Sequence, residues 1–157
     1  MQKIKWKTLI VSIAIPLIVG TVSGLLTAGN MAYFSLLEKP PLSPPGWLFP
    51  VVWTLLYTLM GIASYFIVES GAEITEKISA LKAYFLQLAF NFFWSIFFFN
   101  LELYAFSFIW LLTLLFLIIV TTLRFFKIDK RAALLMLPYI VWVSFAGYLN
   151  LGIALLN

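Results

Sequence analysis

An all-α integral membrane protein, a bundle of five transmembrane helices forming one domain over residues 1–157, is the fold the sequence predicts. Three observations carry that prediction. Of 157 residues, 64% are hydrophobic and 10% charged, with a mean hydropathy of +1.06, whereas a soluble domain is about one quarter charged. Five stretches, 8–28, 47–68, 83–99, 103–123 and 132–156, contain no Asp, Glu, Lys or Arg. Each can cross an apolar core of about 30 Å, which takes roughly 17–25 helical residues. The basic residues cluster in alternate connections, so the net charge of +4 marks membrane topology and not a nucleic-acid partner.

The first stretch has an apolar run longer than the about 15 residues of a cleaved signal, so it is read as a spanning helix. Its Gly20 and Gly24, extended by Ser12, Pro16 and Thr27, form a stripe of small residues suited to close helix approach. The connection 29–46 departs from its surroundings. Five of the seven prolines, Pro40, Pro41, Pro44, Pro45 and Pro50, fall between residues 40 and 50. Each fixes its own φ and pushes its predecessor toward extended geometry, which predicts a stiff, non-helical lid over one end of the bundle.

The second stretch carries Trp53 and Tyr57 on one face at i, i+4. The third is the shortest, with Lys82 able to snorkel at its start. It gathers Gln87, Asn91, Trp94 and Ser95. The fourth is a Leu-rich lipid-facing helix in composition. The fifth holds Trp142, Ala146 and Leu149 in a stripe leading to Asn150, and Pro138 is expected to kink or break its first turns.

Nine of the ten basic residues lie before the first stretch or in the second and fourth connections, against Lys39 alone on the other side. By the positive-inside rule the N-terminus is cytoplasmic, and the 29–46 loop and the C-terminus are extracytoplasmic. Cysteine and histidine are absent, which removes thiolate chemistry, the usual metal and haem ligands and the usual neutral-pH base. No metal site is expected. No ionisable Asp, Glu, Lys or Arg lies within a span, which argues against a proton-driven carrier or a charge-lined ion pore. Trp6 and Trp47 near span ends read as interfacial anchors. The interior Trp53 and Trp142 fit either helix packing or a cavity wall, and Asn91 and Gln87 fit either interhelical glue or ligand contact.

One ordered set of residues goes further. Leu37-Glu38-Lys39-Pro40, Pro44-Pro45-Gly46-Trp47, Trp53, Leu56-Tyr57 and Met60-Gly61 are followed by Gln87-Leu88, Asn91, Trp94-Ser95 and Phe97-Phe98, then by Pro138-Tyr139, Trp142, Phe145-Ala146 and Leu149-Asn150. Together these resemble the TspO/MBR family, the tryptophan-rich sensory proteins related to the mitochondrial translocator protein. The resemblance implies a five-helix bundle, a homodimer in a bacterial cell membrane, and a pocket on the side of the 29–46 loop. It implies a receptor or sensor for porphyrins such as protoporphyrin IX, with light- and oxygen-dependent breakdown of the ligand left open as an enzymatic activity. Trp53 and Trp142 map onto the tryptophans implicated in that breakdown. Tyr33, Tyr57, Asn91, Trp94, Ser95, Phe145, Ala146 and Leu149 map onto the ligand-facing positions.

The alternative is an ion-uncoupled membrane carrier of tetrapyrroles, sterols or other lipophilic ligands. Ala32 and Leu42 stand where the family often has Trp, and no basic residue follows Arg131 to complete the loose cholesterol motif after Tyr139 or Tyr148. Porphyrin is therefore favoured over sterol. No cofactor is expected to be required; porphyrin enters as ligand or substrate, with its propionates at Lys39 and the loop amides.

Overall fold

The structure is a computed structural model that describes residues 3–157. Five helices long and apolar enough to cross a membrane dominate the described residues. Helix α1 (Trp6–Thr27) passes through a 3₁₀ turn (Ala28–Asn30) into the short α2 (Met31–Leu36). An extended, proline-rich segment then leads to α3 (Leu48–Val68). Next come α4 (Ile74–Ser95), prolonged by a π-helical turn over Ile96–Asn100, then α5 (Tyr104–Ile128) and α6 (Lys130–Leu156).

α4, α5 and α6 outrun their charge-free stretches because a helix need not stop at the hydrocarbon boundary. α4 begins nine residues before the third stretch, where the extended Glu73 offers its carbonyl to the N–H groups of Glu76 and Lys77, both at 3.1 Å. Lys77 and Lys82 thus lie on its first turns. α5 likewise carries Arg124 and Lys127 beyond the fourth stretch. α5 and α6 meet at Asp129 alone, whose carboxylate accepts the Arg131 N–H at 2.8 Å and caps α6. Pro138 faces outward and α6 continues through it, so the expected break does not occur. The expectation of a non-helical 29–46 lid is corrected in its first half: α2 occupies Met31–Leu36, ahead of the first proline of the cluster.

α6 packs against α5 and α3, α4 against α5, and α1 against α3 and α4. The core between them is built from Leu56, Met60, Ile67, Leu88, Leu111, Ile118, Phe125 and Met136, all under 4% exposed. Gly61 sets the α1–α3 distance, since a methyl group there would collide with the backbone of Ser12 and Ile13. The expected α1 stripe works differently. Gly20 makes room for the Tyr57 ring, and Gly24 has no neighbour that a methyl would touch.

Large apolar side chains such as Ile10, Ile18, Leu25, Ile109, Phe116 and Val141 point outward, as lipid-facing positions should. Hydroxyls on this surface return to their own helices: Thr54, Thr58 and Ser144 donate to the carbonyls four residues earlier at 2.7–2.8 Å. Such bonds satisfy these three hydroxyls where lipid offers no partner.

Candidate functional site: an aromatic cavity under the proline-rich loop

The end of the bundle beneath the 37–47 segment holds a cavity of about 480 Å³, within the range of about 300–1,000 Å³ typical of small-molecule sites. Four of the five spanning helices wall it, with α2 and the loop above. α3 supplies Phe49, Trp53 and Tyr57 at successive i, i+4 positions, so one helix face delivers three aromatic rings. Trp53 stacks on Tyr57 at 5.5 Å between centroids, tilts against Trp94 at 6.4 Å, and meets the buried Tyr139 edge-on at 6.2 Å. From α6 come Trp142, Ala146, Leu149 and Asn150. Phe49 meets Trp142 edge-on at 5.9 Å.

The π-helical turn after α4 places the consecutive Phe98 and Phe99 on the cavity wall, with Phe34 of α2 closing over both at 5.9 and 5.4 Å. Asn100 anchors that turn to the end of α1, donating to the Leu26 carbonyl at 3.1 Å and accepting from Asn30 at 2.7 Å. On the α1 side the wall is small and polar: Gly20, Thr21, Ser23, Gly24 and Thr27. Thr21 and Gly24 of α1 and Pro50 and Thr54 of α3 line the cavity and are also exposed on the outer face. The cavity therefore opens sideways between α1 and α3, beyond their close approach at Gly61.

Polar groups around the cavity fall into two sets. Most are satisfied: Trp94 Nε1 donates to Asn150 Oδ1 at 3.1 Å, and Asn150 Nδ2 donates to the Tyr104 carbonyl at 2.8 Å. Among the fully buried ones the exception is Trp142, whose indole Nε1 has no hydrogen-bond partner among the described residues. A buried N–H left unpaired costs about 1–3 kcal/mol. At the rim sits Lys39, the one charged residue among those lining the cavity. Its ammonium donates to the carbonyls of Ser35 and Leu37 at 3.2 and 3.4 Å and lies 4.9 Å from the centre of the Phe34 ring.

The loop is tied to the last turns of α6. Asn157 accepts from the Glu38 N–H at 3.0 Å and donates to the Glu38 carbonyl at 2.9 Å. The Tyr148 hydroxyl donates to the Pro41 carbonyl at 2.8 Å. Gly152 leaves room for the Pro40 ring, which a methyl would approach to 2.5 Å.

Of the residues expected at the site, Trp53, Tyr57, Trp94, Ser95, Trp142, Ala146 and Leu149 come together around this cavity, and Pro44 lines its roof. Tyr33, Asn91 and Phe145 are not among the lining residues. Tyr33 is 49% exposed; because α2 is helical, its neighbour Phe34 turns inward instead. Asn91 lies deeper, donating to Tyr139 Oη at 2.8 Å, while Tyr139 donates to Gln87 at 2.8 Å, so both amides act as interhelical glue. Phe145 stacks on Tyr148 at 6.1 Å. Among the lid prolines, Pro40 is buried against Gly152 and Pro41 and Pro45 are exposed. The sequence reasoning missed Phe34, Phe49, Phe98 and Phe99. Phe49 carried a usable signal, four residues before Trp53, and Phe98 stood in the ordered set of residues without being read as part of the site.

The TspO/MBR family model matches residues 12–156. The chain belongs to the TspO/MBR family. Its relatives include the tryptophan-rich protein TspO of Chlorobaculum tepidum, 36% identical over 96% of each chain, and that of Archaeoglobus fulgidus, 38% identical over 95% of this chain and 96% of the relative. The translocator protein of Bos taurus is 33% identical over 87% of this chain and 82% of its own. As a TspO/MBR protein, this chain is an integral membrane protein of the sensor and translocator type.

Proposed function

We propose that the protein is a membrane receptor that binds a porphyrin of the protoporphyrin IX type in the aromatic cavity. The observation that carries this reading is the wall itself: Trp53, Tyr57, Trp94, Trp142, Phe49, Phe98 and Phe99 surround one cavity under a loop whose single cation is Lys39. A flat macrocycle offers π-faces and edges to such rings. Its propionates suit an ammonium at the mouth, and its pyrrole nitrogens or carboxylates offer an acceptor to the unpaired Trp142 N–H. Trp53 and Trp142 are oxidisable neighbours of a photoexcited pigment, so light-dependent breakdown with dioxygen as the oxidant belongs to the same reading. We further propose a homodimer with the loop and C-terminus on the extracytoplasmic side.

Aerobic illumination of the purified protein with protoporphyrin IX tests both parts. Binding is expected as ligand fluorescence quenching. Breakdown is expected as protein-dependent loss of the Soret absorbance with a product identified by mass. Phe keeps a flat apolar ring but lacks the N–H and is harder to oxidise. Trp53→Phe and Trp142→Phe should therefore lower product formation far more than affinity. Quenching without a protein-dependent product would leave a receptor without catalysis, and absence of quenching would overturn the reading.

A further inference from the structure

A second cavity of about 480 Å³ lies toward the opposite end of the bundle, in a groove between α1, α3 and α4. Its floor holds Ser64 and Tyr84, 5% and 1% exposed. The Tyr84 hydroxyl has no hydrogen-bond partner among the described residues, unlike Tyr139, whose hydroxyl is bonded twice. Along the groove run Val11, Ile15 and Phe85; Val11 and Phe85 are open to the outside of the bundle. At its mouth is Lys7.

At the rim the Glu69 carboxylate is set among cations, with Lys5 bonded to it and Lys77 near enough to act on it. Glu69 is engaged by Lys5, at 2.6 Å, and Lys7 forms no ion pair among the described residues. Lys77 is drawn to the same rim, its ammonium donating at 3.0 Å to the carbonyl of Val68, itself a groove residue. From Lys7 to Ile15 the groove follows α1 for about 12 Å at 1.5 Å per residue, close to one leaflet of an apolar core about 30 Å thick. An apolar trough of leaflet depth, open to the bilayer, with a buried hydroxyl donor and two cations at the headgroup end, has the chemistry of one ligand class.

We infer that this groove is a binding site for an anionic phospholipid. The phosphate meets Lys7 and Lys77, an acyl chain lies along Val11, Ile15 and Phe85, and the Tyr84 hydroxyl serves an ester carbonyl. The site is separate from the aromatic cavity, and the inference does not depend on what that cavity binds.

The test is native mass spectrometry of the detergent-solubilised protein loaded with phosphatidylglycerol or with phosphatidylcholine of the same acyl chains. One phosphatidylglycerol per chain should survive detergent washing that strips phosphatidylcholine. Lys7→Gln combined with Lys77→Gln should lower that retention about tenfold, and Ile15→Trp, which fills the trough, should abolish it. If Ile15→Trp fails to fold by circular dichroism, the lysine pair, which lies at the surface, decides. A phosphatidylglycerol bearing a photoreactive acyl chain should label the peptides containing Val11–Ile15 and Leu81–Phe85. Equal retention of the two lipids, retention unchanged in the lysine variant, labelling spread evenly around the bundle, or cross-linking to a second copy in place of lipid would each overturn the inference.

Discussion

Asp129 is the whole connection between two spanning helices. Its carboxylate caps α6 and also grips the Arg131 guanidinium, with Nη2 at 2.8 Å and Nε at 3.2 Å. The hydrogen bond from Arg131 is the largest influence holding the Asp129 carboxyl below its ordinary value of 3.8. A folded-state value below the unfolded one means stability that is present above the ordinary carboxylate range and lost as pH falls through the depressed value. Melting temperature in detergent should thus decline on acidification below about pH 4, where unfolded carboxylates begin to protonate. Asp129→Asn, which keeps the capping oxygen, should flatten that part of the profile. Asp129→Ala should cost about 0.5–2 kcal/mol near neutral pH; an unchanged melting temperature would show that the hairpin is fixed by packing alone. Trp142 is the contrasting case, a buried donor whose partner the fold does not supply.

At the scale of elements, the lid is set less by its prolines than by the last turns of α6. Tyr148 and Gly152 on α6 and Asn157, which caps its end, hold Pro41, Pro40 and Glu38, so the loop is docked onto a helix more than a hundred residues away in sequence. Removing the two Asn157 bonds, each worth about 0.5–1.5 kcal/mol net, should weaken ligand binding under the lid by roughly fivefold in Asn157→Ala. Replacing Pro44 and Pro45 by Gly should act through chain entropy, by at most about 1 kcal/mol per residue. Titration of protoporphyrin IX fluorescence measures both. Unchanged affinity in all three variants would make the loop a spectator.

For the whole molecule, the described basic residues gather at one end of the bundle, where Lys5 of the N-terminal segment meets Glu69 after α3, and Lys39 stands at the other. The Lys5–Glu69 hydrogen bond pulls the Glu69 carboxyl below and the Lys5 ammonium above their ordinary values. Nine cations against one is an asymmetry that membrane insertion reads directly. A reporter fused after Asn157 should be active outside the cytoplasm, and one placed between Lys127 and Arg131 inside it. The reverse pattern would turn the cavity mouth to the cytoplasm and reverse the side of ligand entry.

Charge-free runs of spanning length and the spacing of Lys and Arg determined the number of spanning helices, because a run of about twenty apolar residues satisfies its backbone in lipid within itself only as a helix. The i, i+4 spacing of Trp53 and Tyr57 and the Trp142–Ala146–Leu149 stripe were equally local, since a helix fixes which side chains share a face. Helix ends were less legible: Lys77, Lys82, Arg124 and Lys127 lie on turns that continue past the hydrocarbon, where charge no longer marks a boundary. What only the tertiary structure decided was which polar groups remain free. Asn91, Gln87 and Trp94 looked as available for a ligand as Trp142, yet the first three are bonded within the described bundle and the indole of Trp142 is not. A hydrogen bond between helices depends on their relative rotation and depth, and no periodicity within a single segment encodes either.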